Sequence, residues 1–294
     1  MKYLVLAISG LLVSCSYEKE HMPRLFSKFV YDLNVSADSL KFNEWTRQNL
    51  KGVNFKSEFC TDSIKIDSLL WGRCFYSDEN YSVYGGCRGE FGGSLIFIER
   101  NDTSHAYYLP STCPQMVERR NGAFYVTESV AHIDGFGRIV RVHDPKRLFK
   151  IRMNSLQLPS QSQKFPSLDQ PIFNKLPQHR EVLIDTTGVT VDLFFESEGD
   201  EYFIYSDYQR TYLGLYDQKV IVVLDTLMEY PSRSWSTRSI GAIDNGIYHY
   251  SYMTHEIVIR GKKEIKEIEN LGDIYVKNDT IVVGFKYKER LRKM

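Results

Sequence analysis

The stretch YVTESVAHIDGFGR, residues 125–138, places Glu128, Ser129, His132 and Asp134 close together where a strand-like run gives way to glycines. Serine, imidazole and carboxylate are the groups of a hydrolytic triad, but a triad is an arrangement in space. Three members on one short turn seldom reach that geometry, and no G-x-S-x-G elbow occurs in the chain. A second stretch, GGCRGEFGG at 85–93, has the glycine content of a phosphate loop. It contains no G-x-G triplet and no terminal Gly-Lys-Ser/Thr, and it continues into the strand-like SLIFIER rather than a helix. Its glycines read as positions of close backbone approach or positive φ. An anion nest assisted by Arg88 stays open. Arg88, Glu90, His132 and Asp134 are therefore the candidate ligand-binding residues, and no catalytic residue is assigned.

Other chemistry is thinner. His105, His132, His143, His179, His249 and His255 are scattered without an HExxH pattern, and Asp244-Asn245-Gly246 lacks the later ligands of a calcium loop. His249 and His255 read as cross-strand packing. No metal or other cofactor is assigned. Tyr202, Tyr205, Tyr208, Tyr212 and Tyr216 could stack on sugar rings if they lie on the surface. Besides Cys15 there are four cysteines, Cys60, Cys74, Cys87 and Cys113. No two are spaced as a zinc knuckle requires. In an oxidising compartment an even set permits two disulfides, of unassigned connectivity.

The elements that must position these residues are mostly strands. SLIFIER, AFYVTES, RIVRVHD, TVDLFFES, EYFIYSD, KVIVVLD, GIYHYSY, HEIVIRG, DIYVKND and TIVVGFKY alternate with period two. One helix is predicted over residues 36–52, capped by Ser36 or Asp38, with Leu40, Trp45 and Leu50 on its apolar side and Gly52 ending it. Turns recur at Asn80, Asn121, Gly199 and Asn245, at intervals of 41, 78 and 46 residues. If the long interval hides one repeat, the period of about 40–45 suits β-propeller blades. The fold expected is all-β, a propeller-like ring of about five to six blades over residues 36–294. A β-sandwich or two stacked β-domains would show similar strands. A Pro/Gln/Ser-rich loop at 155–180 interrupts the pattern.

Composition narrows the partners. Thirty-seven basic residues balance 37 acidic ones, so no global charge favours nucleic acid. The basic tail KYKERLRKM reads as a solvated terminal strand. At the other end, Lys2 precedes the apolar run Tyr3–Val13. That run is shorter than the roughly 20 residues that span a bilayer and has the length of a signal-peptide core. It ends in Leu12-Val13-Ser14-Cys15, which resembles the lipobox of bacterial lipoproteins. The resemblance implies cleavage of residues 1–14, diacylglyceryl transfer to Cys15 and acylation (typically palmitate) of the new amino terminus, with 15–35 as a tether. Two or more acyl chains anchor stably where one does not. Ser16 stands where an inner-membrane retention aspartate would, which favours the outer membrane.

Gly92-Gly93-Ser94-Leu95-Ile96-Phe97, Thr112-Cys113-Pro114, and Tyr125-Val126-Thr127 followed by Ser129-x-x-His132-x-x-Gly135 resemble uncharacterised Bacteroidota lipoproteins with propeller-like repeats. The resemblance covers about a quarter of the chain and implies no established activity. The expected function is an envelope-anchored binding module for a glycan, peptide or protein partner rather than an enzyme. The alternatives are a secreted hydrolase or lyase acting on polysaccharide, and a structural accessory subunit of an envelope complex.

Overall fold

The computed structural model describes residues 26–50, 73–87, 93–131, 135–152, 180–217, 220–229, 239–243, 247–260 and 264–293. The chain first forms β1 (Ser27–Asp32) and helix α1 (Ser36–Asn49). Next come β2 (Arg73–Ser77), β3 (Tyr81–Cys87), β4 (Gly93–Glu99) and β5 (Asp102–Ser111). They are followed by β6 (Pro114–Arg120), β7 (Ala123–Val130), β8 (Phe136–Val142), β9 (Phe149–Arg152) and β10 (Arg180–Thr187). A third group is β11 (Thr190–Ser197), β12 (Asp200–Ser206), β13 (Thr211–Asp217) and β14 (Val220–Met228). The last is β15 (Ser239–Ile243), β16 (Ile247–Arg260), β17 (Glu264–Lys277) and β18 (Thr280–Lys293).

These strands make four sheets, so the fold is all-β with one α-helix among the described residues. Sheet I runs β2-β3-β4-β5-β9, sheet II β10-β8-β7-β6, sheet III β11-β12-β13-β14, and sheet IV β1-β18-β17-β16-β15. All pairings are antiparallel except β1 with β18. Ser27–Asp32, within the stretch read as a tether, adds a parallel edge strand to sheet IV. GIYHYSY and HEIVIRG, read as two strands, are one continuous β16. Its partner β17 includes the charged EIKEIENLG, whose apolar positions are too sparse for a strand signal.

Of the expected propeller-like ring of five to six blades, the all-β class is what the structure bears out. Among the described residues there are four sheets and no closed propeller ring. Sheet II packs on all three others, through β6 against β2, β3 and β4, through β7 and β8 against β11, and through β6 against β15. Sheets III and IV meet through β11 with β16 and β1 with β14. The turn spacing reports the length of a four-strand meander, which is local, whereas closure depends on how whole sheets pack.

Packing follows this layout. One core lies between sheets II, III and IV around Phe194, Phe195, Tyr202, Phe203, Tyr250 and Ile274. A second joins sheets I and II around Val83, Leu95, Phe97, Phe124 and Val140. Full burial of such a side chain contributes about 1.5–3 kcal/mol. Helix α1 covers the remaining face of sheet IV, setting Phe42 and Leu50 against Ile247, Tyr275 and Val282. Its N-cap is Val35 without a side-chain cap, so Ser36 and Asp38 lie inside the helix. Leu40 is 68% exposed, and Phe42 holds the buried position instead. Gly52 lies outside the described residues.

Cys87 and Cys113 form a disulfide, tying the end of β3 to the β5–β6 junction. Cys74 is also disulfide-bonded, and Cys60 lies outside the described residues. In GGCRGEFGG, a Cβ added at Gly85 would collide with the Ser94 carbonyl and Leu95, and one at Gly93 with the Gly86 carbonyl. Close strand-to-strand approach is thus the reason for those two glycines. Of the proline-rich loop, 155–179 lies outside the described residues, and β10 beyond it pairs with β8.

A candidate binding cleft where three sheets meet

Arg88, Glu90, His132 and Asp134 lie outside the described residues, as does Cys15. The chain leading into their two segments is described. Cys87 is disulfide-bonded to Cys113, and the Ser129 N–H donates to the Cys113 carbonyl at 3.0 Å. Glu128 is fully buried, and its Oε2 accepts from the Thr112 N–H at 3.2 Å and from Arg138 Nη1 at 3.4 Å. Burial pushes its carboxyl up, while the Thr112 N–H and the Arg138 and Arg180 guanidinium groups pull it down. Arg138 in turn holds Asp185 with Nη2, at 3.0 and 3.2 Å. Glu128 therefore serves as an internal acceptor for backbone and arginine donors.

The tyrosines expected to offer sugar-stacking surface are mostly structural. Tyr202 and Tyr205 are buried, and Tyr212 stacks on Tyr205 at 5.2 Å and donates to Asp207. Tyr216 is half-buried and donates to the Leu183 carbonyl, which leaves Tyr208 exposed. His249 stacks on Tyr275, its directly opposite neighbour, with centroids 4.4 Å apart, and its Nε2 lies 3.0 Å from Asp273. Among the described residues no group of three His, Cys, Asp or Glu side chains is placed to hold a metal ion.

A different set of residues shapes a cleft. The β11–β12 turn carries Glu198 at φ 54° and Gly199 at φ 90°, and the β6–β7 turn carries Asn121 at φ 48° and Gly122 at φ 80°. Positive φ at both central residues matches the right-handed twist of the flanking strands, which is why Gly follows in each. The β17–β18 turn bends at Asn278, φ 54°. The first and third of these turns border an open cleft of about 530 Å³. Phe195, Tyr248 and Val276 give it apolar walls, and Glu196, Ser197, Glu198, Asn278 and Asp279 give it polar ones. The chain from the N-terminal side arrives here as well. Phe26 packs edge-on against Phe195 and Tyr202, and the Ser27 N–H donates to the Asp279 carbonyl at 2.8 Å.

Behind the wall lies a charge cluster drawn from sheets II, III and IV. The Arg120 side chain, only 9% exposed, is sandwiched with Cζ 4.1 Å from the Tyr125 ring centroid and 4.6 Å from that of Phe194. Its Nη1 reaches Glu196 Oε2 at 3.5 Å, its Nε lies 3.3 Å from Glu118 Oε2, and its Nη2 lies 4.0 Å from Glu201 Oε1. Tyr248 donates its hydroxyl to Glu118 Oε1 at 2.9 Å. One guanidinium thus serves three carboxylates, and the aromatic faces favour the cation further. Burial pushes the Glu118 carboxyl up, and Arg120 and the Tyr248 hydroxyl pull it back. Burial raises Glu201 similarly. With Glu198 and Asp279 in the lining and no lysine or arginine among its described residues, the cleft presents acceptors over an aromatic wall. Such a surface suits a ligand rich in hydroxyl or amine donors.

The buried carboxylate has a testable signature. A carboxyl raised in the folded state binds its proton more tightly folded than unfolded. Its contribution to stability is full below the ordinary value of 4.5 and is lost as pH rises through the raised one. Glu118→Gln, which keeps an acceptor for Tyr248, should therefore gain on the wild type between about pH 4.5 and about pH 7.5. Denaturant unfolding at the two pH values measures the difference. A gap that stays constant would show that Glu118 is not perturbed by folding.

In the sequence, the turns at Asn121-Gly122 and Glu198-Gly199 stand out only as repeats. Arg120 beside one turn and Glu196 shortly before the other were the available signal, and nothing local shows that the two would meet. No family model, curated protein or solved structure matches the chain.

Proposed function

We propose that the chain is a lipoprotein of the bacterial cell envelope, anchored at the outer membrane through acylated Cys15, and that it acts as a binding module. Its ligand site is the cleft bordered by the β11–β12 and β17–β18 turns, and the ligand is a glycan unit or a peptide segment. One observation carries the reading: a cleft of about 530 Å³ joins aromatic walls to several side-chain acceptors, a typical composition for a binding site. The propeller-like character read from the repeats enters this proposal only as a shared design, with meander sheets presenting hairpin turns at one site.

The test pairs a glycan array with a peptide library, using the mature chain with Cys15→Ser. A ligand captured by this protein should bind at least about tenfold more weakly to Glu196→Gln, the equivalent of one charge-assisted hydrogen bond, while a cooperative thermal transition shows that the variant is folded despite the weakened pair with Arg120. Capture of neither class, or equal binding by Glu196→Gln, would remove the cleft as the ligand site. For the anchor, Cys15→Ala should shift the protein out of the membrane fraction. Retention there in lipidated form would defeat the lipoprotein assignment.

A further inference from the structure

The chain enters the described fold at the cleft itself. Phe26 packs its ring on Phe195, which is a cleft wall, and on Tyr202, at centroid distances of 6.0 and 5.0 Å. The next residue, Ser27, donates its N–H at 2.8 Å to the carbonyl of Asp279, another lining residue. Strand β1 runs parallel to β18, with Ser27 opposite Thr280. Followed backwards from Ser27, the line of β1 therefore leads past Asp279 and Asn278, both in the lining. Side chains of an extended chain alternate between two faces, so an extended continuation puts position 24 on the face of Phe26. That position is Arg24, and Pro23 before it biases Met22 to extended backbone. Charge agrees with this path. The described lining carries Glu196, Glu198 and Asp279 and no lysine or arginine. His21-Met22-Pro23-Arg24-Leu25 carries a cation and no acid.

We infer that the protein's own tether occupies the cleft: residues 22–25 lie along it in extended form, with the Arg24 guanidinium against the carboxylates of Glu198 and Asp279. Phe26 fixes the end of this segment at the rim, so the contact needs no strong intrinsic affinity. A short linkage of this kind holds a group at an effective concentration on the order of millimolar. The consequence is regulatory and rests on the cleft being the ligand site proposed above. An outside ligand has to displace the tether, and it binds more tightly wherever the tether is drawn away.

Zero-length carbodiimide cross-linking tests the contact in the mature chain with Cys15→Ser. Arg24→Lys keeps the charge and supplies an amine, and Lys28, 2.7 Å from Asp225, is the internal standard for a direct ion pair. The introduced amine should join Glu198 or Asp279 within the monomer, at a yield comparable to the Lys28–Asp225 link. No link while Lys28–Asp225 forms, a link to Glu18 or Glu20 alone, or one found only between two copies would overturn the inference. In the second arm, a ligand captured from the glycan array or the peptide library should bind at least about tenfold more tightly to Arg24→Glu, which removes one charged contact from the competing segment. Equal affinity would show that the tether does not compete for the cleft. If neither library yields a ligand, the ligand reading fails by itself, and the cross-link still decides where the tether lies.

Discussion

Phe124→Ala is expected to lower the unfolding free energy by about 3–5 kcal/mol, the cost of emptying a fully buried aromatic position. The ring belongs to β7 in sheet II and has no exposed surface. It stands edge-on to Tyr76, Tyr81 and Phe97 of sheet I, at centroid distances of 5.4, 5.5 and 5.2 Å. Arg119 lies over it at 5.2 Å. Each aromatic pair adds about 0.5–1.5 kcal/mol beyond the area buried. Sheet I leans on sheet II chiefly through β6 and this cluster. Phe124→Leu should lose less because it leaves a smaller cavity. Denaturant unfolding followed by near-ultraviolet dichroism reports both variants. A loss below about 1 kcal/mol for Phe124→Ala would mean that the neighbouring side chains collapse into the site.

Asp192→Ala should cost a similar amount, about 3–5 kcal/mol, by a different route. Asp192 is 2% exposed in β11 of sheet III. Its carboxylate accepts from the hydroxyls of Ser206 and Thr190 on the same sheet, and from Tyr250 of sheet IV at 3.2 Å. Ser206 also shares a 2.9 Å hydrogen bond with Thr211. Removing the acceptor leaves buried donors short of a partner, and each such group costs about 1–3 kcal/mol. Tyr250→Phe removes the inter-sheet bond alone. A double-mutant cycle between the two positions should return a coupling of about 0.5–3 kcal/mol. Additive effects would show that the Tyr250 hydroxyl does not help hold sheet IV against sheet III.

These two residues also mark how far sequence reading reaches. TVDLFFES reads as a strand from its alternation, but nothing in that octet says that Asp192 points into the interior. Its acceptor role depends on Tyr250, 58 positions later. The tyrosines of EYFIYSD and its neighbours look alike in sequence, yet Tyr202 is buried and Tyr208 is exposed, because burial is decided by which sheet covers them. The cleft shows the same limit. Arg120 meets Glu196 across 76 positions, and Tyr248 meets Glu118 across 130. The locally dense motif around Glu128 and Ser129 drew attention first, and its described part proves to be arginine-bound and buried.

What the amino-acid sequence determined by itself is the set of features that neighbours a few residues apart decide. Period-two alternation made the chain all-β, a helix was legible over the region of Ser36–Asn49 though not its buried side, and Asn-Gly and Glu-Gly pairs set the hairpin turns. What only the tertiary structure decided is how four meanders pack. Among the described residues that packing closes no ring, and it gathers Glu118 and Arg120 behind the cleft that Glu196 and Tyr248 line. The division is physical. Strand and turn preferences arise from backbone sterics and adjacent side chains, whereas sheet packing sums many contacts between residues far apart in the chain, each too small and too distant to leave a local mark.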